Sequence, residues 1–417
     1  MRTDAEKIYT GAIKACLPDA IVKDALASFT LPAGKLILVS IGKAAWKMAS
    51  SAVDIITDEK RGVIDRGIVI TKYGHSEGEI PGLEIYEAGH PIPDSAGIEA
   101  TERALELTKE LTERDTVLFL VSGGGSALFE SPYCSLDELC GLTKNLLASG
   151  ADINEINAVR KHISKVKGGR FAEHVFPAKV FAVVLSDVIG NRLDTIASGP
   201  TAPDSATSDE VKRILDRYSI PVSENADNAL KRETPKSVKN AEHFVSGSVT
   251  ELCAAAKAFA ESLGYRSEII SSDECGEARE LGVRLAELAL RKIDTDEPLA
   301  YIFGGETVVK LRGEGIGGRN QETALSASIK IAGKRNIAVF SVGSDGTDGP
   351  TDAAGGYVDG ESFDKMKKAG IEPALYLDNN DSYHALAACG GLIFTGPTGT
   401  NVNDVAVVLI RPADRFI

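Results

Sequence analysis

Four runs in the first half of the chain limit what it can become: KLILVSIG at 35–42, GIVITKYG at 67–74, VLFLVSGGGS at 117–126 and VFAVVLSD at 180–187. Each is short, predominantly apolar and rich in β-branched residues, and each stops at glycine or a small polar cluster. A strand that is apolar along its length has no face to give to water, so it belongs inside a sheet covered on both sides. Between the runs lie stretches that read as helices, KAAWKMASSAVDII after the first and a charged one over about 95–113. LEIYEAG (83–89) adds a further strand. Such alternation predicts an α/β fold with a mainly parallel sheet, and it places any ligand outside the carboxyl ends of the strands. Capping boxes at Thr3 with Glu6 and at Ser135 with Glu138 predict two helix starts, the first helix leaving at Pro18.

At 417 residues the chain is long enough for two or three domains. Residues 200–240 change character, passing through the loop SGPTAPDSATSDE to the polar KRETPKSVKNAEH. A boundary near 239 follows, giving domains at 1–238 and 239–417. Beyond it the alternation resumes through HFVSGS, RSEIIS, LAYIFGGETVV, NIAVFSVGSDG, GLIFTG and VAVVLI, so two α/β domains with a cleft between them are expected. The excess of 60 acidic over 46 basic residues, a net −14, argues against a broad nucleic-acid or anionic-membrane surface. Six cysteines stand apart with no CxxC pair, which points to a reducing compartment and away from zinc. With no apolar core in the opening residues and no stretch of transmembrane length, a cytoplasmic location is expected.

The strand ends carry the polar residues. In the first half these are Lys43 in IGKAAW, Ser122, Gly123, Gly124, Gly125 and Ser126 in SGGGS, and Asp187 in LSDV; in the second they are Glu306 in GGETVV, Asp345 and Asp348 in SDGTDG, and Thr398, Thr400, Asn401 and Asp404 in the last such cluster. Three glycines at the end of a stiff strand suit either a tight turn or an anion cradle of bare N–H groups. A lysine where a strand becomes a helix adds its charge to an already positive terminus and wants an anion. INAVRKHISKVKGGRFAE (156–173) concentrates cations in an acidic protein, with Asn157, Arg160 and Ser164 at helical spacing on one face, an arrangement suited to a small carboxylate.

GEGIGGRNQE (313–322) contains G-x-G-x-x-G between the possible strand TVVKLR and a helical stretch, so a dinucleotide-binding dehydrogenase has to be weighed. Arg319, Asn320 and Gln321 crowd the helix start with donors, and the acidic residue expected about 20 positions on is absent. An arginine beside glycine N–H groups fits a phosphate or carboxylate better. The chain has no G-x-x-x-x-G-K-[ST] loop, no G-x-S-x-G elbow and no H-E-x-x-H pair.

Taken together, SIGKAAWKMA, TKYGHSEG, EAGHPIPD, LFLVSGGGSALFE, INAVRKHISKVKGGRFAE, VLSDVIGNRLDTIASGPTAPD, IFGGETVVKLRGEGIGGRNQE, SDGTDGPTDAAGG and TGPTGTNVND resemble the glycerate 2-kinases, in order and over about residues 5–410. The resemblance implies a Rossmann-like N-terminal kinase domain joined to a C-terminal α/β domain containing the MOFRL module. It implies phosphorylation of (R)-glycerate by ATP with Mg²⁺, at the 2-hydroxyl, with glycerate and a nucleotide as the partners and neither nucleic acid nor membrane. Some relatives carry the label hydroxypyruvate reductase, so that oxidoreductase, a kinase forming 3-phosphoglycerate and a non-catalytic metabolite sensor are the alternatives.

In that family the lysine of GKAAW and the arginine of GGRNQE are implicated in catalysis, which corresponds to Lys43 and Arg319. On opposite domains, they would clamp the transferring phosphoryl group. The SGGGS turn would hold a nucleotide phosphate or the glycerate carboxylate, and Asn157 and Arg160 would orient the glycerate. Asp187 would bind magnesium or accept the substrate proton, with Glu306 and Asp345 as second choices, and Asn320 would assist at the phosphate.

Overall fold

The computed structural model describes residues 1–186 and 192–413. β1 (Leu36–Ile41), β2 (Arg66–Lys72), β3 (Leu83–Ala88), β4 (Thr116–Val121), β5 (Lys179–Leu185) and β6 (Ala241–Ser246) pair in parallel in the order β3-β2-β1-β4-β5-β6. Every residue of β1 and β4 is buried, as their unbroken apolar pattern requires. The chain builds outward from β1 on one side and from β4 on the other, which makes their junction the switch point of a doubly wound sheet. Leu36 lies opposite Thr116 and Ile41 opposite Val121, so the two strands end level. Phe119, Phe129 and Phe171 stack with centroids 4.9–5.8 Å apart and tie the segment after β4 to the core.

The second sheet comprises β7 (Arg266–Glu274), β8 (Leu299–Gly305), β9 (Ile337–Gly343), β10 (Gly355–Asp359), β11 (Leu392–Ile393) and β12 (Asp404–Ile410), in the order β11-β10-β9-β12-β8-β7. It is mixed: β7 and β8 are parallel, while β12 runs antiparallel to both β8 and β9 and is inserted between them. The helices Ala278–Arg291 and Arg319–Lys330 pack against each other beside its core. TVVKLR contributes a single bridge, Val308 to Glu277, instead of a strand. GGYVD at β10 gave no signal in the sequence, because two of its five residues are glycine.

By contacts the chain forms two units, Pro18–Ser246 and Met1–Leu17 with Gly247–Ile417. The first unit extends past residue 238 because β6 pairs with β5 along its whole length. Met1–Leu17 joins the second because the helix Arg2–Ala15 packs on Val249–Ser262, and Asp4 bonds to Tyr265 (2.6 Å) and Arg411 (2.7 Å). That first helix starts at Arg2, so Thr3 and Glu6 form no capping box, and Pro18 opens the next helix, Pro18–Ala27, where its missing N–H costs nothing. The Ser135 with Glu138 box forms. Among the described residues no helix is long and apolar enough to cross a membrane.

Candidate active site

At the switch point of the parallel sheet, the loops after β1 and β4 are stitched together. The Lys43 N–H donates to Gly123 O (2.8 Å), and Ser122 Oγ accepts from the Ala44 N–H (3.0 Å) and donates to Ile41 O (3.2 Å). Ser122 is buried and spends its hydroxyl on this seam. Among the described residues nothing accepts from the N–H groups of Gly123 and Gly124, both of which remain partly exposed. Gly124 has φ +90°, and a Cβ there would sit 3.0 Å from the His90 ring and 3.2 Å from the Lys43 side chain. Two consecutive N–H groups able to face an anion and the Lys43 side chain therefore lie close together. Burial, with Lys43 and Lys72 nearby, lowers the His90 pKa and keeps that ring neutral.

The helix that follows the glycines is only Gly125–Leu128. Its second residue, Ser126, pairs its hydroxyl with Ser198 (3.1 Å), and its carbonyl accepts from Arg160 Nη2 (3.0 Å). Ala197 and Ser198 have φ of +50° and +61°, a strained backbone pressed against Gly125, where a Cβ would lie 2.8 Å from the Ala197 Cβ. No residue type in IASGP announces that strain. Arg160 is thus brought to the SGGGS turn, with its Nε buried and unpartnered. Asn157, one turn earlier, lines a cavity of about 490 Å³ with Lys161, Asp194, Asp204 and Arg213. Ser164 does not share their helical face, since the helix ends at Ile163 and Ser164 is extended and buried.

Much of the basic run is structural. Arg170 Nη1 donates to the carbonyls of Lys161, His162 and Ser164, closing that helix's C-terminus, and Lys167 is fully buried 3.1 Å from Glu130. Asp187 lies outside the described residues.

In the second unit, Arg319 is the first residue of the helix Arg319–Lys330. Its Nε donates to Asp404 Oδ2 (2.5 Å) and its Nη2 to Asp404 Oδ1 (3.0 Å), while Nη1 lies 3.1 Å from Glu306 of the half-exposed segment after β8. Burial works against the Arg319 charge, but the Asp404 bonds outweigh it and hold its pKa above the usual value. Burial pushes the Asp404 carboxyl upward, and Arg319 pulls it back. Asn320 is buried and committed internally, accepting from Ser341 Oγ (2.5 Å) and donating to Asp348 (3.3 Å). Asp345, half buried, accepts the Thr347 N–H (3.0 Å).

The glycine-rich loop before Arg319 is a packing device. A Cβ at Gly313, Gly315, Gly317 or Gly318 would lie 2.1–2.4 Å from Asn379, Asp381, Ser382 or Asp348. The N–H groups of Arg312 and Gly313 bond to Asn380 Oδ1, that of Gly315 to Asn379 O, and that of Ile316 to Asp381. Asn380 is fixed in turn by Glu322, which pairs with Arg279 at 3.2 Å. At the helix start, where a dinucleotide pyrophosphate would sit, the Asn320 and Gln321 N–H groups already bind Asp348. The protein's own carboxylate fills that position, which removes the physical basis of the dehydrogenase fingerprint.

Comparison with known proteins agrees with this arrangement. Residues 4–231 match a family described as a domain of unknown function (DUF4147), and residues 299–404 match the MOFRL family. A D-glycerate 2-kinase from Thermotoga maritima is 53% identical over 412 residues, 97% of each chain. A glycerate 2-kinase from Pyrococcus horikoshii is 41% identical over 394 residues, covering 90% of this chain and 88% of its own. The crystal structure of a glycerate kinase from Thermotoga maritima superposes with a TM-score of 0.93 at 53% identity, over 98% of this chain and 99% of that one. With both halves matched in order and at this identity, the chain belongs to the glycerate 2-kinase family, its MOFRL module lying at residues 299–404.

Proposed function

We propose that this protein is a glycerate 2-kinase: the 2-hydroxyl oxygen of (R)-glycerate attacks the γ-phosphorus of ATP, ADP departs, and the hydroxyl proton is released. The observation that carries the reading is the Arg319 fork, a fixed guanidinium at the carboxyl end of β8, in a chain so close to a D-glycerate 2-kinase. Phosphoryl transfer is catalysed chiefly by positioning and by neutralising charge on the transferred group. Arg319 offers a planar, permanently charged donor set for that purpose, and Lys43 offers a mobile point charge. The open N–H groups of Gly123 and Gly124 beside Lys43 suit an anionic oxygen of either substrate. Arg160, held at the Ser126 carbonyl of the same turn, is placed to receive the glycerate carboxylate.

Magnesium arrives with the nucleotide, and the residues present fit it. Glu306 and Asp345 are oxygen donors just past the ends of β8 and β9, and Glu306 is half exposed. Among the described residues no three His, Cys, Asp or Glu converge. Mg²⁺ does not require such a cage, since it keeps several waters and is bound by one or two carboxylates together with substrate phosphates. It would supply charge neutralisation between the phosphates.

Incubating the protein with ATP, Mg²⁺ and glycerate and following ³¹P NMR tests the reading. Loss of the γ-phosphate resonance with growth of a phosphomonoester is expected. NAD(P)H oxidation with hydroxypyruvate and no phosphomonoester would overturn it in favour of the oxidoreductase.

A further inference from the structure

Ligand sites of α/β sheets gather at the carboxyl ends of parallel strands, yet Asp404 reaches such an end from the other direction. β12 is antiparallel and central, so its first residue pairs with Gly305, the last of β8, and with Gly343, the last of β9. The two neighbours are glycines, and a Cβ on Gly343 would lie 3.4 Å from the Asp404 carboxylate. Neither neighbour places a side chain beside the carboxylate. Asp404 is 6% exposed overall, and both of its oxygens are committed to one guanidinium, Oδ2 to Nε and Oδ1 to Nη2.

A two-point pair of this kind fixes the plane of a guanidinium as well as its place. A single bond would leave the planar group free to swing about the Cδ–Nε bond. Glu306 meets the fork on Nη1 at 3.1 Å, but it is half exposed and cannot immobilise it alone. We infer that Asp404 is a positioning residue for phosphoryl transfer, one that holds the Arg319 guanidinium in the plane from which its outer N–H groups meet the transferred phosphoryl oxygens. The inference rests on the kinase reading above. It separates two roles inside one pair: Arg319 touches the substrate, and Asp404 acts only through Arg319. It also predicts that the effect of Asp404 falls on turnover and not on nucleotide affinity, because orientation matters most where charge develops in the transition state.

The test is a double-mutant cycle in steady-state kinetics with ATP, Mg²⁺ and glycerate. Asp404→Asn retains one acceptor and turns an amide against a guanidinium donor. It is expected to lower kcat by about 10- to 100-fold while the KM for ATP stays within about threefold. Added to Arg319→Ala, the same change is expected to alter kcat by less than about twofold, since nothing remains for it to orient. Asp404→Glu keeps the charge but displaces the fork by one methylene; it is expected to be slowed about tenfold, again only when Arg319 is present, and it carries the cycle if the Asn variant does not fold. Wild-type kcat in Asp404→Asn, or penalties that multiply in the double variant, overturns this inference alone. A wild-type protein that leaves glycerate unphosphorylated overturns the kinase reading and the inference with it.

Discussion

Asp348 and Gln321 are joined twice: Oδ2 of the aspartate accepts the Gln321 backbone N–H at 2.8 Å, and the Gln321 side-chain amide donates to the Asp348 carbonyl at 3.1 Å. The loop after β9 thereby caps a helix that begins far away in sequence. Burial raises the Asp348 pKa to about 6, against the pull of the Gln321 and Asn320 N–H donors. A carboxyl with a folded pKa above its unfolded value of about 4 holds its proton more tightly when folded. Its stabilising contribution is therefore full below about pH 4 and lost as the pH rises through about 6. Asp348→Asn carries no such proton. Thermal midpoints measured from pH 4 to 7 are expected to show the wild type losing its advantage over Asp348→Asn, by on the order of 2–3 kcal/mol across the window. A difference independent of pH would contradict the raised carboxyl.

Replacing Arg319 by Lys substitutes a point charge for a planar fork. Neither the two-point bond to Asp404 nor a second bond to a phosphoryl oxygen survives that change. kcat is expected to fall at least about 10²-fold with the fold intact by circular dichroism. Turnover near that of the wild type would show that the guanidinium plane is irrelevant.

Two glycines make opposite predictions. Gly124→Ala puts a Cβ on a φ of +90°, against His90 and Lys43. It should lower the melting temperature and, if Lys43 acts at the transferred phosphoryl group as proposed, kcat by about tenfold or more. Gly141 lies within the helix Leu136–Ser149 with nothing within 4 Å of its Cβ position. Gly141→Ala should stabilise by about 0.5–1 kcal/mol and leave activity unchanged. Urea melts of the two variants side by side decide the matter.

Lys167 and Glu130 are both fully buried, 3.1 Å apart, and burial lowers the lysine pKa to about 8. Removing one partner strands the other charge. Glu130→Gln or Lys167→Met alone is expected to cost about 3–5 kcal/mol, and the double replacement to recover much of that loss. Denaturant titrations of the three variants give the answer, and additive penalties would mean that the pair is not the unit.

Glycerate carries a secondary hydroxyl beside its carboxylate and a primary one a carbon further on. A carboxylate held at Arg160 fixes the adjacent carbon most tightly, and reacting atoms must come within about 3–3.5 Å, so the 2-hydroxyl is favoured. An enolase-coupled assay should respond directly to the product. A response that appears only after phosphoglycerate mutase is added would assign the 3-position.

The strands at the centre of each sheet were legible because burial on both faces leaves a plain apolar record, as in VLFLV. The ends of the chemistry were less so. Lys43 stood out as a cation at a strand–helix junction, and Arg319 as one at a helix start behind a glycine-rich loop. Asp404 appeared among the polar residues of its loop, but only the antiparallel insertion of β12 aims it at Arg319, and strand direction is not written in a heptapeptide such as DVAVVLI. GEGIGG misled for a related reason. Glycine is needed equally where a phosphate approaches the backbone and where another loop does, and here the neighbour is 379–382. The positive φ of Ala197 and Ser198 left no trace at all, because the surrounding structure imposes it.

The central place of β12 also bears on how the protein is made. The strand that joins β8 to β9 spans residues 404–410, so on the ribosome the second sheet stays in two pieces until that strand emerges. The helix Arg2–Ala15 emerges well before residues 247–417, yet it belongs to the same unit and must wait for them. Pro18–Ser246 has its whole sheet in hand long before. Birth order therefore favours a folded first unit carrying an unattached leading helix, and a stall or stop codon before residue 404 would leave β8 and β9 with bare edges and the nascent chain exposed to aggregation.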